Sequence, residues 1–81
     1  MPYEIWKSLE ARQKLQELEP NDSATARQIQ ERLNRLAVDQ EDFITGAPEK
    51  LESFTVGKLI VIYRVGHRLR IVDVLDIKEL P

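Results

Sequence analysis

The hydrophobic pattern of the chain changes near residue 45, and this change constrains the fold more than any other feature of the sequence. Before it, apolar residues recur at the three- and four-residue spacing of one helix face. The members of this stripe are Ala26, Ile29, Leu33, Leu36 and Ala37. After it, β-branched residues fall in short runs separated by Gly, which is typical of strands. Because the chain has only 81 residues, both halves must share one core, so the sequence predicts a single α+β domain over residues 1–81.

A strand is predicted at the start of the chain, and a helix follows it directly. Residues 2–7 include Tyr3 and Trp6, whose aromatic side chains favour pleated surfaces, and we expect both in the core. Ser8 is a good N-cap for a first helix over residues 9–18. Pro20 is expected to end that helix, because proline cannot continue the backbone hydrogen-bond ladder.

The second helix is expected to begin after the polar residues 21–23 and to end at about residue 38–40. Four polar residues, three of them acidic, follow at 39–42, and the dipole at the C-terminus of a helix disfavours anions. Residues 45–48 then supply Gly and Pro for a loop.

Three further strands are predicted over residues 49–56, 58–65 and 69–77, joined as an antiparallel meander. If Gly66 and His67 form a two-residue turn, Val65 pairs with Arg68 and Val61 with Val72. Both faces of this meander are rich in apolar residues, but two helices can cover only one of them. We therefore expect the other face to bind a partner or a second copy of the chain. The residues assigned to this binding face are Ile60, Ile62, Leu69, Ile71 and Leu75.

Several classes of function are disfavoured by composition. The chain has no Cys and one His, so thiolate chemistry is absent and a zinc site is not expected. The sequence contains no Gly-rich phosphate loop and no nucleophile motif, and we expect no metal and no cofactor. No apolar run approaches the length of a membrane span and the first residues do not resemble a signal peptide, so we expect a cytoplasmic protein without a membrane partner.

Charge is nearly balanced over the whole chain, with 12 basic and 14 acidic residues, so nucleic-acid binding would require a local basic patch. One such region lies between residues 58 and 70 and contains Lys58, Arg64, Arg68 and Arg70, with His67 among them. It could meet phosphate groups. The competing interpretation is that these residues lie at hairpin ends and pair with Glu52 or Asp73, with His67 as an ordinary exposed turn residue.

Three stretches of the sequence resemble the RelE/ParE superfamily, the toxins of bacterial toxin–antitoxin modules. In residues 3–11 a strand ends in Ser8 and a helix begins with Ala11 on its inner face. In residues 51–65 a turn at Val56 and Gly57 leads into a strand that closes with an Ile-Tyr-x-Val sequence, and residues 69–75 match the last apolar strand. The resemblance implies the order β-α-α-β-β-β, with a helical hairpin packed on one face of a curved antiparallel sheet.

The resemblance also implies a function and a set of site residues. Relatives of this kind inhibit translation by cleaving mRNA on the ribosome without a metal, and a cognate antitoxin binds them. The implied partners are therefore an antitoxin, the ribosome and mRNA, with a homodimer as a further possibility. On this interpretation the candidate catalytic residues are Arg64, His67, Arg68 and Arg70, and the candidate RNA-binding residues are Lys50 and Lys58.

Two departures from the family pattern leave a second interpretation open. Ile60 stands where the family has an Arg on the strand after the turn, and residues 76–80 lack the His and Arg found near the end of many members. The alternative is a ParE-like inhibitor of a protein target such as DNA gyrase, or a toxin relative without RNase activity.

Overall fold

The computed structural model describes residues 2–39 and 51–81 of the chain. The elements, in order, are β1 (Glu4–Lys7), α1 (Leu9–Asn21), α2 (Ser23–Asp39), β2 (Leu51–Val56), β3 (Leu59–Gly66) and β4 (Ile71–Glu79). The predicted order β-α-α-β-β-β is confirmed. The predicted strand over residues 49–56 is present from Leu51 onward, and residues 49 and 50 lie outside the described part.

The four strands form one sheet in the order β1-β4-β3-β2. The meander of β2, β3 and β4 is antiparallel as predicted, but β1 joins β4 in parallel, so the sheet is mixed rather than entirely antiparallel. Backbone bonds at the two ends of β1 hold this direction: Glu4 N–H donates to Arg70 O at 3.0 Å and Ser8 N–H donates to Val74 O at 2.9 Å. Residue propensity predicts a strand and carries no information on its direction.

Both helices pack on one face of the sheet and form the core with it. The largest fully buried side chains of the described residues are Ile29, Leu33, Val61, Val72, Val74 and Ile77. Tyr3 is buried as predicted, but the prediction for Trp6 was wrong, because half of its side chain is exposed. Successive residues of a strand point to opposite faces, so once Tyr3 and Ile5 face the helices, Trp6 faces away from them.

Ser8 connects the start of α1 to the sheet. Its hydroxyl accepts a hydrogen bond from Ala11 N–H at 3.1 Å, as an N-cap does, and donates to Leu75 O on β4 at 2.6 Å. Pro20 does not end the helix as predicted, because it lies in the last turn and the helix continues to Asn21. Only Asp22 then separates the two helices, and its carboxylate accepts bonds from Thr25 N–H and the Thr25 hydroxyl.

The turn between β3 and β4 is longer than the predicted two residues. Gly66 pairs with Ile71, so residues 67–70 form the turn, and Val65 pairs with Val72 instead of Arg68. The partner of Val65 therefore moves by four residues along β4. Because four is an even number, each residue keeps its predicted face of the sheet. A β-bulge opposite Ile62 and Tyr63 then shifts the register by one more residue, so Val61 pairs with Ile77 rather than Val72.

The last strand therefore covers Ile71–Glu79 rather than residues 69–77. Leu69, which was assigned to the strand and to its binding face, lies in the turn with two-thirds of its side chain exposed.

Candidate functional site

The sheet face opposite the helices, called the outer face below, carries the side chains that alternate with the core residues. Its members in the described part are Glu4, Trp6, Leu51, Ser53, Thr55, Ile60, Ile62, Arg64, Ile71, Asp73, Leu75, Asp76 and Lys78. Leu75 and Asp76 are both included because the bulge places them between the core residues Val74 and Ile77.

The structure brings together three of the five residues predicted to bind a partner. Ile60, Ile62 and Leu75 lie on the adjacent strands β3 and β4, each half-buried. Ile71 is on the same face but is buried, and Leu69 lies outside the face in the turn. The apolar part of the outer face is therefore centred on β3 and β4, and it is smaller than the sequence predicts.

One row of paired residues crosses all four strands of the outer face. In this row Trp6 pairs with Asp73, Asp73 with Arg64, and Arg64 with Leu51. The Arg64 guanidinium lies 3.7 Å from the Asp73 carboxylate. The prediction that a basic residue of the hairpin pairs with Asp73 is thus confirmed for Arg64. Glu52, the other predicted carboxylate, instead accepts a hydrogen bond from the Tyr63 hydroxyl at 3.1 Å.

The turn of residues 67–70 lies at one end of this face and contains the other candidate catalytic residues. His67 is half-buried, rather than an ordinary exposed turn residue, because its ring contacts Tyr3. The Tyr3 hydroxyl lies 3.3 Å from His67 Nδ1, and the two rings meet edge to face at 6.0 Å. Sequence analysis missed Tyr3 as a partner, because 64 residues separate the two and no local signal connects them.

Arg68 and Arg70 are both exposed in this turn. Arg70 has a φ of 56°, in the left-handed region, and its carbonyl oxygen accepts the hydrogen bond from Glu4 N–H. Residues other than Gly rarely adopt this backbone conformation, because their Cβ atom lies too close to the following carbonyl oxygen. This hydrogen bond with β1 holds the turn in a strained conformation, in which the side chains of both arginines are exposed.

The predicted basic region is divided by the hairpin. Lys58 lies in the turn before β3, whereas His67 lies after it, and eight residues of strand separate them. At about 3.3 Å per residue the two turns are roughly 26 Å apart. Arg64, Arg68 and Arg70 are near one end of the outer face and Lys58 is at the other. Lys50 lies outside the described residues.

The outer face is close to neutral in its described part. Its acidic residues are Glu4, Asp73 and Asp76, and its basic residues are Arg64 and Lys78. The Asp76 carboxylate accepts a hydrogen bond from Ile77 N–H at 2.8 Å. Within residues 2–39 and 51–81 no three His, Cys, Asp or Glu side chains are grouped as metal ligands would be. No helix of the same residues is long and apolar enough to cross a membrane.

Tyr63 belongs to the core and not to the outer face. Burial raises the pKa of its hydroxyl, and the hydrogen bond and negative charge of Glu52 raise that pKa further. Its ring packs 5.8 Å from the ring of Phe54, over which the Arg32 guanidinium lies at 4.8 Å. Tyr63 therefore joins β3 to β2 within the core through its ring and its hydrogen bond to Glu52.

Solved structures of RelE proteins share this fold. A chain of the archaeal RelE–RelB complex from Pyrococcus horikoshii is 21% identical, with a TM-score of 0.69, and the match covers 98% of this chain and 96% of that chain. The isolated RelE toxin of E. coli is 14% identical, with a TM-score of 0.70 and coverage of 98% and 85%.

A chain of the toxin–antitoxin complex RelBE2 from Mycobacterium tuberculosis is 20% identical, with a TM-score of 0.63 and coverage of 98% and 99%. No protein-family model and no curated protein sequence matches the chain. The chain therefore has the RelE fold along nearly its whole length, and the predicted resemblance is confirmed at the level of fold.

Proposed function

We propose that this chain is the toxin component of a toxin–antitoxin module. The observation that carries the proposal is the match over 98% of the chain to RelE structures, two of which are complexes that include the antitoxin. The match covers 96% and 99% of the chains from the two complexes and 85% of the isolated E. coli toxin. A fold alone does not determine an activity, so the chemistry is argued from the side chains of the outer face and its turn.

The proposed activity is inhibition of translation by cleavage of ribosome-bound mRNA. Attack by a 2′-hydroxyl needs a group that moves a proton and cations that hold the phosphate as charge develops. Arg64, Arg68 and Arg70 supply cations at one end of the outer face. His67 lies in the same turn as Arg68 and Arg70, with its ring against Tyr3, and an imidazole can act as a general acid or base. The contact with Tyr3 orients the His67 ring. Without this contact, a side chain in a turn would be mobile.

The experiment is addition of the purified chain to a bacterial cell-free translation system programmed with a defined mRNA. Primer extension on that mRNA should reveal cuts that require the ribosome. Loss of one oxyanion-hole donor lowers acyl-transfer rates by about 10²–10³-fold, and by analogy Arg68→Ala should reduce cutting strongly. Arg35→Ala, which removes the same charge from the exposed surface of α2, is the matched control and should cut normally.

A second candidate is a toxin that binds its target without cleaving RNA. The observation that favours it is the ion pair between Arg64 and Asp73, together with the near-neutral charge of the outer face. An RNA backbone would meet Glu4, Asp73 and Asp76 on this face as well as the arginines. If the chain acts in this second way, protein synthesis or DNA supercoiling should change while the mRNA stays intact.

The antitoxin is proposed to bind the apolar part of the outer face, around Ile60, Ile62 and Leu75. Ile71 and Leu69, predicted for the same role, would contribute at the margin of this region. Replacing Ile60 and Ile62 by Ser should weaken binding of the proposed antitoxin, and circular dichroism should show that the fold is retained. Sedimentation of the chain alone tests the other proposed occupant, a second copy.

A further inference from the structure

A cleft of about 450 Å³ lies on the helical side of the molecule, between α1, α2 and the end of β1. It is called the interhelical cleft here, and its lining residues are Lys7, Arg12, Leu15, Gln16, Glu19, Ser23, Ala26, Arg27 and Gln30. None of these residues belongs to the outer face or to the turn of residues 67–70. Its volume falls within the range of about 300–1,000 Å³ that small-ligand sites occupy.

The chain creates this cleft by placing small residues where the helices meet. Ala26 is buried on the inner face of α2, and its methyl group leaves space that a larger side chain would fill. Leu15 of α1 is half-buried against the core and forms an apolar wall with Ala26. Gln16 and Gln30 add polar amide groups at the margin.

Three cations surround the cleft, and one carboxylate opposes them. The cations are Lys7, Arg12 and Arg27, and the carboxylate is Glu19. Lys7 is half-buried and donates to the Gln30 side-chain oxygen at 2.8 Å, which fixes its position. Within residues 2–39 and 51–81 none of the three cations forms an ion pair with a carboxylate. The lining therefore carries uncompensated positive charge in a chain whose overall charge is −2.

We propose that the interhelical cleft binds a nucleotide through its phosphate groups. A planar guanidinium donates two parallel hydrogen bonds to phosphate oxygens, and the cleft offers two of them beside a positioned ammonium. Leu15 and Ala26 form an apolar surface against which a base or sugar can lie. The Gln16 amide can hydrogen-bond a base edge, whereas the Gln30 amide already accepts from Lys7 and donates to Asn34. The phosphate belongs to a free nucleotide or to one nucleotide of an RNA, and these two sources share the same chemistry.

The test is a titration of the ¹⁵N-labelled chain followed by NMR, with three probes: inorganic triphosphate, ATP and a short single-stranded RNA. Saturable shifts are expected at Gln16, Ala26 and Gln30. Arg12→Gln and Arg27→Gln should each weaken binding about tenfold, which corresponds to about 1.4 kcal/mol. Arg35→Gln is the matched control, because it removes the same charge from α2 outside the cleft. Glu19→Gln should strengthen binding, because it removes the opposing carboxylate.

The probes separate the two sources of phosphate. Binding of ATP that is tighter than binding of triphosphate identifies a free nucleotide whose base contacts the cleft, and binding of RNA alone identifies an RNA backbone. The proposal is overturned if no probe gives saturable shifts at the cleft, or if Arg35→Gln weakens binding as much as Arg12→Gln. Neither result depends on toxicity, so the test is independent of the proposed toxin function.

Discussion

The Arg64 guanidinium on β3 lies 3.7 Å from the Asp73 carboxylate on β4, at directly paired positions of the outer face. Both side chains are partly exposed, so the pair contributes at most about 1 kcal/mol to stability. On the proposed function the carboxylate would also compete with any phosphate that approaches Arg64. The two central residues of the row from Trp6 to Leu51, Asp73 and Arg64, thus carry opposite charges that compensate each other.

Removing this carboxylate should increase cleavage if Arg64 holds the phosphate of the message. Asp73→Asn retains the shape of the side chain and leaves the guanidinium without the competing negative charge of Asp73. Primer extension in the cell-free system should show faster cutting than with the original chain. Glu79→Gln makes the same charge change at an exposed position on β4 and should leave the rate unchanged. Slower cutting by Asp73→Asn would show that the ion pair itself is needed for activity.

Leu33 is the most direct test of the core, because its side chain is fully buried on the apolar stripe of α2. Leu33→Asp places a charge where neither water nor a partner reaches it, at a cost of several kcal/mol, comparable to the whole stability of a small domain. Circular dichroism should show no cooperative melt. Asn34→Asp, on the exposed side of the same helix, should melt normally. A normal melt of Leu33→Asp would contradict the assignment of the α2 stripe to the core.

Replacing Arg70 with Gly should not destabilise the chain, because the φ of 56° at this position is strained for any residue with a Cβ. Arg70→Gly relieves about 1–2 kcal/mol of strain and loses about 0.5–1 kcal/mol through greater freedom of the unfolded chain. Urea unfolding should therefore show equal or slightly higher stability. Arg68→Gly, at a position without positive φ, is the comparison and should lower stability. The opposite ranking would contradict the left-handed turn.

Stability should decline at alkaline pH partly because of Tyr63. Burial and Glu52 raise the pKa of its hydroxyl above the ordinary value of about 10. The unfolded chain therefore loses this proton first, so the contribution is complete below pH 10 and is lost as pH rises through the folded pKa. Urea unfolding across this range should show a shallower decline for Tyr63→Phe than for the original chain. Equal slopes would show that Tyr63 contributes no such dependence.

The sequence predicted most of the fold because periodicity reports local geometry. The stripe from Ala26 to Ala37 and the alternation along β3 identify their buried faces without knowledge of the rest of the chain. The direction of β1 escaped prediction because it depends on contacts between distant segments. The pairing of Val65 with Val72 escaped it because the turn contains four residues rather than two. The aromatic character of Trp6 predicts burial, but strand alternation determines its face and places it on the side opposite the helices.

The candidate site was less predictable than the fold. The sequence grouped Lys58 with Arg68 because they are close along the chain, yet a strand of eight residues separates their turns. The contact of His67 with Tyr3 and the cleft around Arg12 and Arg27 both combine residues from separate elements. Such groupings require the three-dimensional arrangement, since no spacing along the chain encodes them.

The central claim is that this chain is a toxin that inhibits protein synthesis, and pulse labelling after induction in a bacterium tests it most directly. Incorporation of a labelled amino acid should fall soon after induction, before RNA synthesis and DNA supercoiling change. Co-expression of the proposed antitoxin should restore incorporation. Leu33→Asp, which is expected not to fold, should have no effect. Unchanged incorporation during accumulation of the folded chain would contradict the claim, and an early change in supercoiling would instead indicate a protein target such as DNA gyrase.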